Sequence, residues 1–296
     1  MVVPFLNEEE HLPTMLASVA RQERQPDKLI LVDDGSTDSS PDLAADYVNQ
    51  CSYGTLVHRP VRAVERDRLV QAAELKAFEF GLAHVTEPWD VVAKVDADLD
   101  LPPDFLAEME RRFEADPRLG NAGAYLSVLK DGHLQRQRCP PDHVEGPTKF
   151  YRRECFEQIS PLPHILGWET IDEVRARIHG WRTRSFPMPS GDPLILRPTG
   201  TYDGVLRGFR RGGRYAYAYG AHPLHVLAGA VVRAGDRPRV LGGVSYLLGW
   251  AGAALGRCPR AEPEVRRTVR RENLARLRRT AAPGPWLRRS SPVNTG

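Results

Sequence analysis

The chain has 296 residues, 41% of them hydrophobic, and a net charge of +3. That length can bury a full core in one large domain or two small ones. Its four cysteines, Cys51, Cys139, Cys155 and Cys258, form no CxxC pair, which argues against a zinc ribbon and a disulfide framework alike. Met1 runs directly into VVPFLNEEE, with no signal-peptide pattern, so a reducing cytoplasm is the expected compartment.

In chain order, Val2 to Phe5 reads as the tail of a first strand. Asn7 to Glu10 then opens a helix whose buried stripe is Leu12, Met15, Leu16 and Val19. Lys28 to Val32 is a second strand, ending in Asp33-Asp34-Gly35-Ser36-Thr37-Asp38, where Ser36 or Asp38 can cap the next helix. Thr55 to His58 is a third strand and Gln71 to His84 a helix. A strand from Val91 to Val95, a helix over FLAEMERRF and a strand from Ala122 to Leu129 follow. Strands alternating with helices predict an α/β layer fold.

The stretch DVVAKVDADLDLPP, from Asp90 to Pro103, carries the strongest chemical signal. An apolar strand stops in Asp96, Asp98 and Asp100, and ligands of open α/β sheets bind beyond the carboxyl ends of strands. Crowded carboxylates repel unless a cation sits between them, and an all-oxygen donor set suits Mg2+ or Mn2+. A helix-loop-helix calcium site would need Gly and Glu where Leu101 and Ala107 stand. An aspartyl-phosphate phosphatase would need Thr or Val in place of Asp100. A metal-diphosphate site remains.

PFLNEE at 4–9, VDDGSTD at 32–38 and VDADL at 95–99, in that order, resemble the motifs of a family-2 glycosyltransferase over about residues 1–200. The resemblance implies a GT-A (Rossmann-like) three-layer sandwich with a mixed, mostly parallel central sheet, to which a C-terminal helical region is added. It implies that Pro4, Asn7, Glu8 and Asp34 help hold the nucleotide, with Asp34 at the base or ribose. Asp96 and Asp98 become the Asp-x-Asp pair, Asp98 on the metal and Asp96 nearer the ribose and diphosphate. Glu169, six residues before Arg175 and eleven before Gly180-Trp181, matches the spacing of the base in similar inverting enzymes. The family commonly has adjacent Glu-Asp, whereas Trp168 precedes the acid here, so the base stays open between Glu169, which is preferred, and Asp172. The segment Asp142 to Arg153 resembles the stretch before the base that leads into a basic helix. Its Lys149, Arg152 or Arg153 can contact phosphate. Arg197, in Arg197-Pro198-Thr199-Gly200, is a candidate for phosphate or acceptor.

From His222 the composition changes. His222 to Val232 and Val240 to Gly256 carry no charge, and Gly252 and Gly256 form a GxxxG pair that signals close helix contact. Arg257 to Arg289 then holds eleven arginines against three glutamates, net +8, leaving about −5 elsewhere. Two apolar helices with a basic flank suit a hairpin packed on the catalytic domain or lying in the interface of an anionic membrane, and a plain helical subdomain is the other reading. The basic tail lacks the interleaved aromatics of a nucleic-acid module, and the N-terminal Gly-rich loop of a nucleotidyltransferase is absent. Expected domains are therefore a catalytic one at 1–220, a helical, membrane-associating one at 221–280, and an unstructured tail at 281–296. The expected activity is inverting, metal-dependent sugar transfer from a nucleotide-sugar to an acceptor glycan or lipid-linked sugar in cell-envelope synthesis. It would take place in the cytoplasm or on the inner face of the cell membrane. An inactive subunit or scaffold that keeps the fold is the alternative.

Overall fold

The computed structural model describes residues 1–60, 71–130, 132–197, 204–235 and 239–281. They form two compact units, Met1–Gly208 and Phe209–Gly296. The first unit opens with β1 (Val2–Phe5), α1 (Leu12–Ala20), β2 (Leu29–Asp33), α2 (Ser40–Val48), β3 (Gly54–His58), α3 (Ala73–Leu82) and β4 (Val91–Val95). It continues with β5 (Leu99–Asp100), α4 (Phe105–Ala115), β6 (Leu119–Ala124), β7 (Ser127–Lys130), β8 (His133–Arg136), β9 (Thr148–Arg152) and α5 (Arg153–Ile159). After these come α6 (Trp168–Ile178), β10 (Arg182–Phe186) and β11 (Leu194–Ile195).

The central sheet has the order β10-β6-β9-β4-β1-β2-β3. Only β9 runs antiparallel to its neighbours. Strands β1 and β2 are buried along their whole length, as expected for parallel strands covered on both faces. Their side chains alternate between two cores. Val3, Phe5, Leu29 and Leu31 pack with Met15 of α1 and Phe105 and Met109 of α4. Val2, Ile30 and Val32 pack with Leu75 and Phe78 of α3 and Trp168 and Ala176 of α6. The result is a three-layer α/β sandwich. A second sheet, β5-β11-β7-β8, joins the segment just after β4 to the segment just before Arg197.

Three expectations shift. The first helix begins at Leu12 rather than Asn7, because Asn7 takes a positive φ of 53° and its side chain is used by a neighbouring loop. Ala122 to Leu129 is two strands, not one: Tyr125 N–H turns to the carbonyl of Phe186, and β7 joins the second sheet. The stretch before the candidate base does lead into a helix, α5 from Arg153, but Lys149 to Arg152 themselves lie in strand β9, since Phe150 and Tyr151 alternate into the two cores.

α7 (Val205–Tyr219) carries the chain from the first unit into the second, which begins at Phe209. In the second unit α8 (Pro223–Ala234) and α9 (Leu241–Leu255) form a packed hairpin, followed by α10 (Pro263–Ala281). Ala216, Ala221, Val226, Ala230 and Tyr246 make its small core. Glycines allow backbone-to-backbone approach here: a Cβ on Gly213 would strike the Tyr246 carbonyl, and one on Gly249 the Arg210 carbonyl. The expected Gly252/Gly256 contact is not the one used, as Gly252 faces open space. Among the described residues no helix is long and apolar enough to cross a membrane. The expected tail beyond Ala281 lies outside the described residues, as do Pro198 to Gly200.

Gly213→Val should therefore lower the urea-unfolding stability by about 1–3 kcal/mol through overpacking. Gly252→Ala, with nothing to strike, should raise it by up to about 1 kcal/mol through helix propensity.

Candidate active site

The chain steps outward from β1 through β2 to β3, then returns to β4 on the other flank of β1. That reversal makes a crevice at the carboxyl ends of β1, β2 and β4, the place where such sheets bind ligands. The loops after β1 and β2 are locked together. Asn7 Oδ1 accepts the Thr37 N–H at 2.8 Å, Ser36 Oγ accepts the Asn7 N–H at 3.0 Å, and Ser40 Oγ accepts the Glu8 N–H at 2.7 Å. Pro4, buried in β1 opposite Val32, lies directly behind them. Asp33 uses one oxygen on the Ser36 N–H (2.8 Å) and the other on His58 (3.0 Å). Asp34 is nearly buried and pairs with Arg59.

Strand β4 ends at Val95, so Asp96 and Asp98 sit in the turn between β4 and β5. Leu196 N–H donates to the Asp98 carbonyl at 2.9 Å. That bond brings Arg197 to the same place, where its guanidinium meets Glu8 at 2.6 Å. Burial raises the Glu8 carboxyl to about 7; Arg197 pulls it down, and Asp98 and Asp96 push it up. Asp98 also lies above the ordinary carboxylate range, through burial and then the charge of Asp96, against the pull of Arg197 and His11. Four sequence-predicted residues, Glu8, Asp96, Asp98 and Arg197, thus share one electrostatic neighbourhood. A divalent cation suits that donor set, because two crowded carboxylates resist ionisation without one. Among the described residues no three His, Cys, Asp or Glu side chains form a ready cage. Mg2+ or Mn2+ held by one or two carboxylates completes its shell with phosphate oxygens.

Beneath this crevice lie two lysines absent from the sequence reading as structural elements. Lys94 of β4 and Lys149 of β9 are register partners, and both are fully buried. Lys94 Nζ donates to Asp96 at 2.6 Å and to the Gly146 carbonyl at 2.8 Å, and also pairs with Glu74 of α3. Lys149 Nζ donates to Asp172 at 2.8 Å and to the Glu169 carbonyl at 2.8 Å, with Glu173 at 3.4 Å. The Trp168 ring lies 5.9 Å from the first ammonium and 5.8 Å from the second. Burial would lower the Lys149 ammonium, but Asp172 and Glu173 hold it above its usual value. Burial raises Asp172 to about 6 against that same attraction, while Tyr151 and Asn121 also donate to its carboxylate. Glu173, also deep, is drawn down to about 2 despite burial by His143, Lys149 and Arg177.

This arrangement separates the two candidate bases. Asp172 is fully enclosed and engaged by Lys149, Tyr151 and Asn121, so it acts as a counterion. Glu169 is half-buried in the first turn of α6, and its carboxylate lies against Gly146, where a Cβ would collide with it. Lys149, expected at a phosphate, is instead committed to the interior. Arg152 donates to the carbonyls of Phe113 and Leu119, and Arg153 pairs with Glu157 on the surface. Arg175 donates to the carbonyls of Ile159 and Pro161, holding the end of α5. The missed residues are Lys94, Glu74, His143 and Glu173. The legible signal was a lysine at an inward position of the apolar run VVAKV.

The model of glycosyl transferase family 2 matches residues 1–165. An undecaprenyl-phosphate 4-deoxy-4-formamido-L-arabinose transferase of Serratia proteamaculans is 34% identical over 110 residues, 35% of this chain and 30% of that protein. The chain therefore matches under a third of that relative's length. An uncharacterized glycosyltransferase of Mycobacterium bovis is 27% identical over 201 residues, 62% of this chain and 80% of its own. Among solved structures, a Pyrobaculum calidifontis mannosyltransferase in complex with GDP-Man and Mn2+ superposes with a TM-score of 0.55. It is 19% identical, and the match covers 95% of this chain and 78% of that one. TarS of S. aureus gives 0.52 at 14% identity, over 86% and 71%. At these identities the structural likeness establishes the GT-A fold.

The His143–Glu173 contact makes a testable pH dependence. Burial opposes protonation of His143, but Glu173, 3.0 Å away, raises its pKa above the usual 6.5. A raised histidine contributes stability that is fully present below its unfolded value and lost as pH rises through the folded value. His143→Asn should thus lower the melting temperature more at pH 5.5 than at pH 8.5, and thermal melts across that range check it.

Proposed function

The chain belongs to glycosyl transferase family 2, and from that membership we propose that it moves a sugar from a nucleoside-diphosphate-sugar to an acceptor hydroxyl with inversion. The observation that carries this reading is the position of Gly146. Its carbonyl is held by Lys94, which also holds Asp96, and its Cα lies against the Glu169 carboxylate. One residue thus links the donor-side acid, through Lys94, to the candidate base, as the holding of a donor and an acceptor in line requires.

In this mechanism Glu8, Asn7, Pro4 and Asp34 shape the nucleotide side of the crevice. Asp98 and Asp96 would hold Mg2+ or Mn2+, which when bound supplies positive charge for the leaving diphosphate. Asp96, fixed through one oxygen by Lys94, keeps its other oxygen for ribose or diphosphate. Arg197 adds a cation on the same side. Glu169 takes the acceptor's hydroxyl proton as that oxygen bonds to the anomeric carbon. The bond from the anomeric carbon to the diphosphate breaks on the opposite face, and the nucleoside diphosphate leaves. The acceptor we assign is a glycan or lipid-linked sugar of the cell envelope, met at the cytoplasmic face of the membrane.

Asp98→Ala should abolish Mn2+-dependent binding of UDP and GDP, measured by calorimetry, with the melting temperature nearly unchanged. Undiminished metal-dependent binding would remove Asp98 from the site.

Glu169→Gln should cut turnover by about 100-fold or more at little cost in donor affinity. Asp172→Asn should chiefly cost stability. A folded, inactive Asp172→Asn beside an active Glu169→Gln would exchange the roles. Wild-type protein that binds nucleotide-sugar but neither hydrolyses nor transfers it would favour the scaffold reading.

A further inference from the structure

The second unit presents a surface that transfer chemistry does not use. On α8, Leu224, Leu227 and Val231 are exposed at spacings of three and four, while Val226 and Ala230 are buried. On α9, Leu241, Val244 and Leu248 repeat the pattern outward, while Tyr246 and Gly249 are buried. The α9 stripe ends in Leu255, 86% exposed, and Val231 on α8 is 74% exposed. A helix on a water-facing surface turns charged and polar side chains outward. Here both helices carry aliphatic groups outward as well as inward, and α9 contains no charged residue at all. Exposed Leu and Val repeating along each of two packed helices exceed the scattered apolar residues of an ordinary surface.

We propose that the α8–α9 hairpin docks on an anionic lipid bilayer, lying in its interface without crossing it. Length excludes a span, since the 15 residues of α9 extend about 22 Å against a hydrocarbon core of ~30 Å. Charge selects the partner. Arg267, Arg270, Arg271 and Arg278 of α10 are all exposed, and their spacing gathers them on one helix face. Aliphatic groups that enter the acyl boundary and arginines that meet anionic headgroups are the two components of interfacial binding. This docking goes beyond the transfer reading and needs neither donor nor catalysis, so its failure leaves that reading standing.

The test is flotation of the full chain with vesicles of phosphatidylcholine alone and of phosphatidylcholine with phosphatidylglycerol, at low and high salt. The wild type should float with the anionic vesicles and lose part of that binding in high salt. Leu227→Ser/Leu248→Ser should bind about ten-fold more weakly or less, with its melting temperature and nucleotide binding unchanged. Arg267→Gln/Arg270→Gln/Arg271→Gln should remove the salt-sensitive part. A wild type that floats with neither vesicle overturns the proposal, and so does a leucine variant that floats like the wild type. A lipid-indifferent dimer that the leucine substitutions dissociate would likewise overturn it, identifying the face as a contact between two copies.

Discussion

The structure turns on two ammonium groups placed side by side in the interior. Lys94 and Lys149 face each other across the β4–β9 pair, where like charges directly opposite destabilise a sheet. Burying one such ion without a partner costs several kcal/mol. The fold answers with four carboxylates from three different elements. Glu74 comes from α3 and Asp96 from the end of β4, both on Lys94; Asp172 and Glu173 come from α6, both on Lys149. Trp168 fills the space beside both. Once those charges must be matched, α6 has little choice about where its first turn lies, and Glu169 is in that turn. The candidate base is positioned by the charge compensation beneath it.

The crevice above follows a related rule. The carboxylates at the strand ends are mostly matched one to one: Asp33 with His58, Asp34 with Arg59, Asp96 with Lys94, Glu8 with Arg197. Asp98 is where burial and a neighbouring negative charge act together to resist ionisation. An incoming cation does most there, since it relieves the crowding of both aspartates at once. The floor is rigid and neutralised, and the electrostatic demand is concentrated at the rim.

Much of this was legible in the sequence because it depends on local rules. The strands β1, β2 and β4 are unbroken apolar runs that end in carboxylates, and their order with helices between them specifies the layers. Asp96, Asp98, Glu8 and Glu169 could be picked out because acids at strand tips and helix starts are exposed to a short-range pattern. What could not be read depended on register. Lys149 looks like a surface cation in TKFYRR until Phe150 and Tyr151 are seen to alternate into opposite cores, which drives Lys149 inward. Asp172 and Glu169, three apart on one helix, look equivalent until Lys149 engages one of them. Arg197 was a candidate from its own segment, but which partners it meets depends on the pairing of β5 with β11, which brings it to Glu8 and Asp98. The apolar helices of the second unit were visible, yet which glycines touch depended on how the helices are rotated: Gly213 and Gly249 do, Gly252 does not.

The Glu8–Arg197 pair also sets a schedule for the nascent chain. Its two members are 189 residues apart, so the ion pair closes nearly two thirds of the sequence into one loop. Arg197 leaves the ribosome only after a further roughly 10 to 40 s of synthesis beyond Glu8 at ordinary rates. For that interval the early strands can pair and the first core can condense, while the acidic rim of Glu8, Asp96 and Asp98 remains without this guanidinium. Arg197 is thus the last of these four charges to arrive, and until then nothing from its segment offsets the negative rim. Among the described strands, the last one of that unit, β11, leads into the residue that completes the rim.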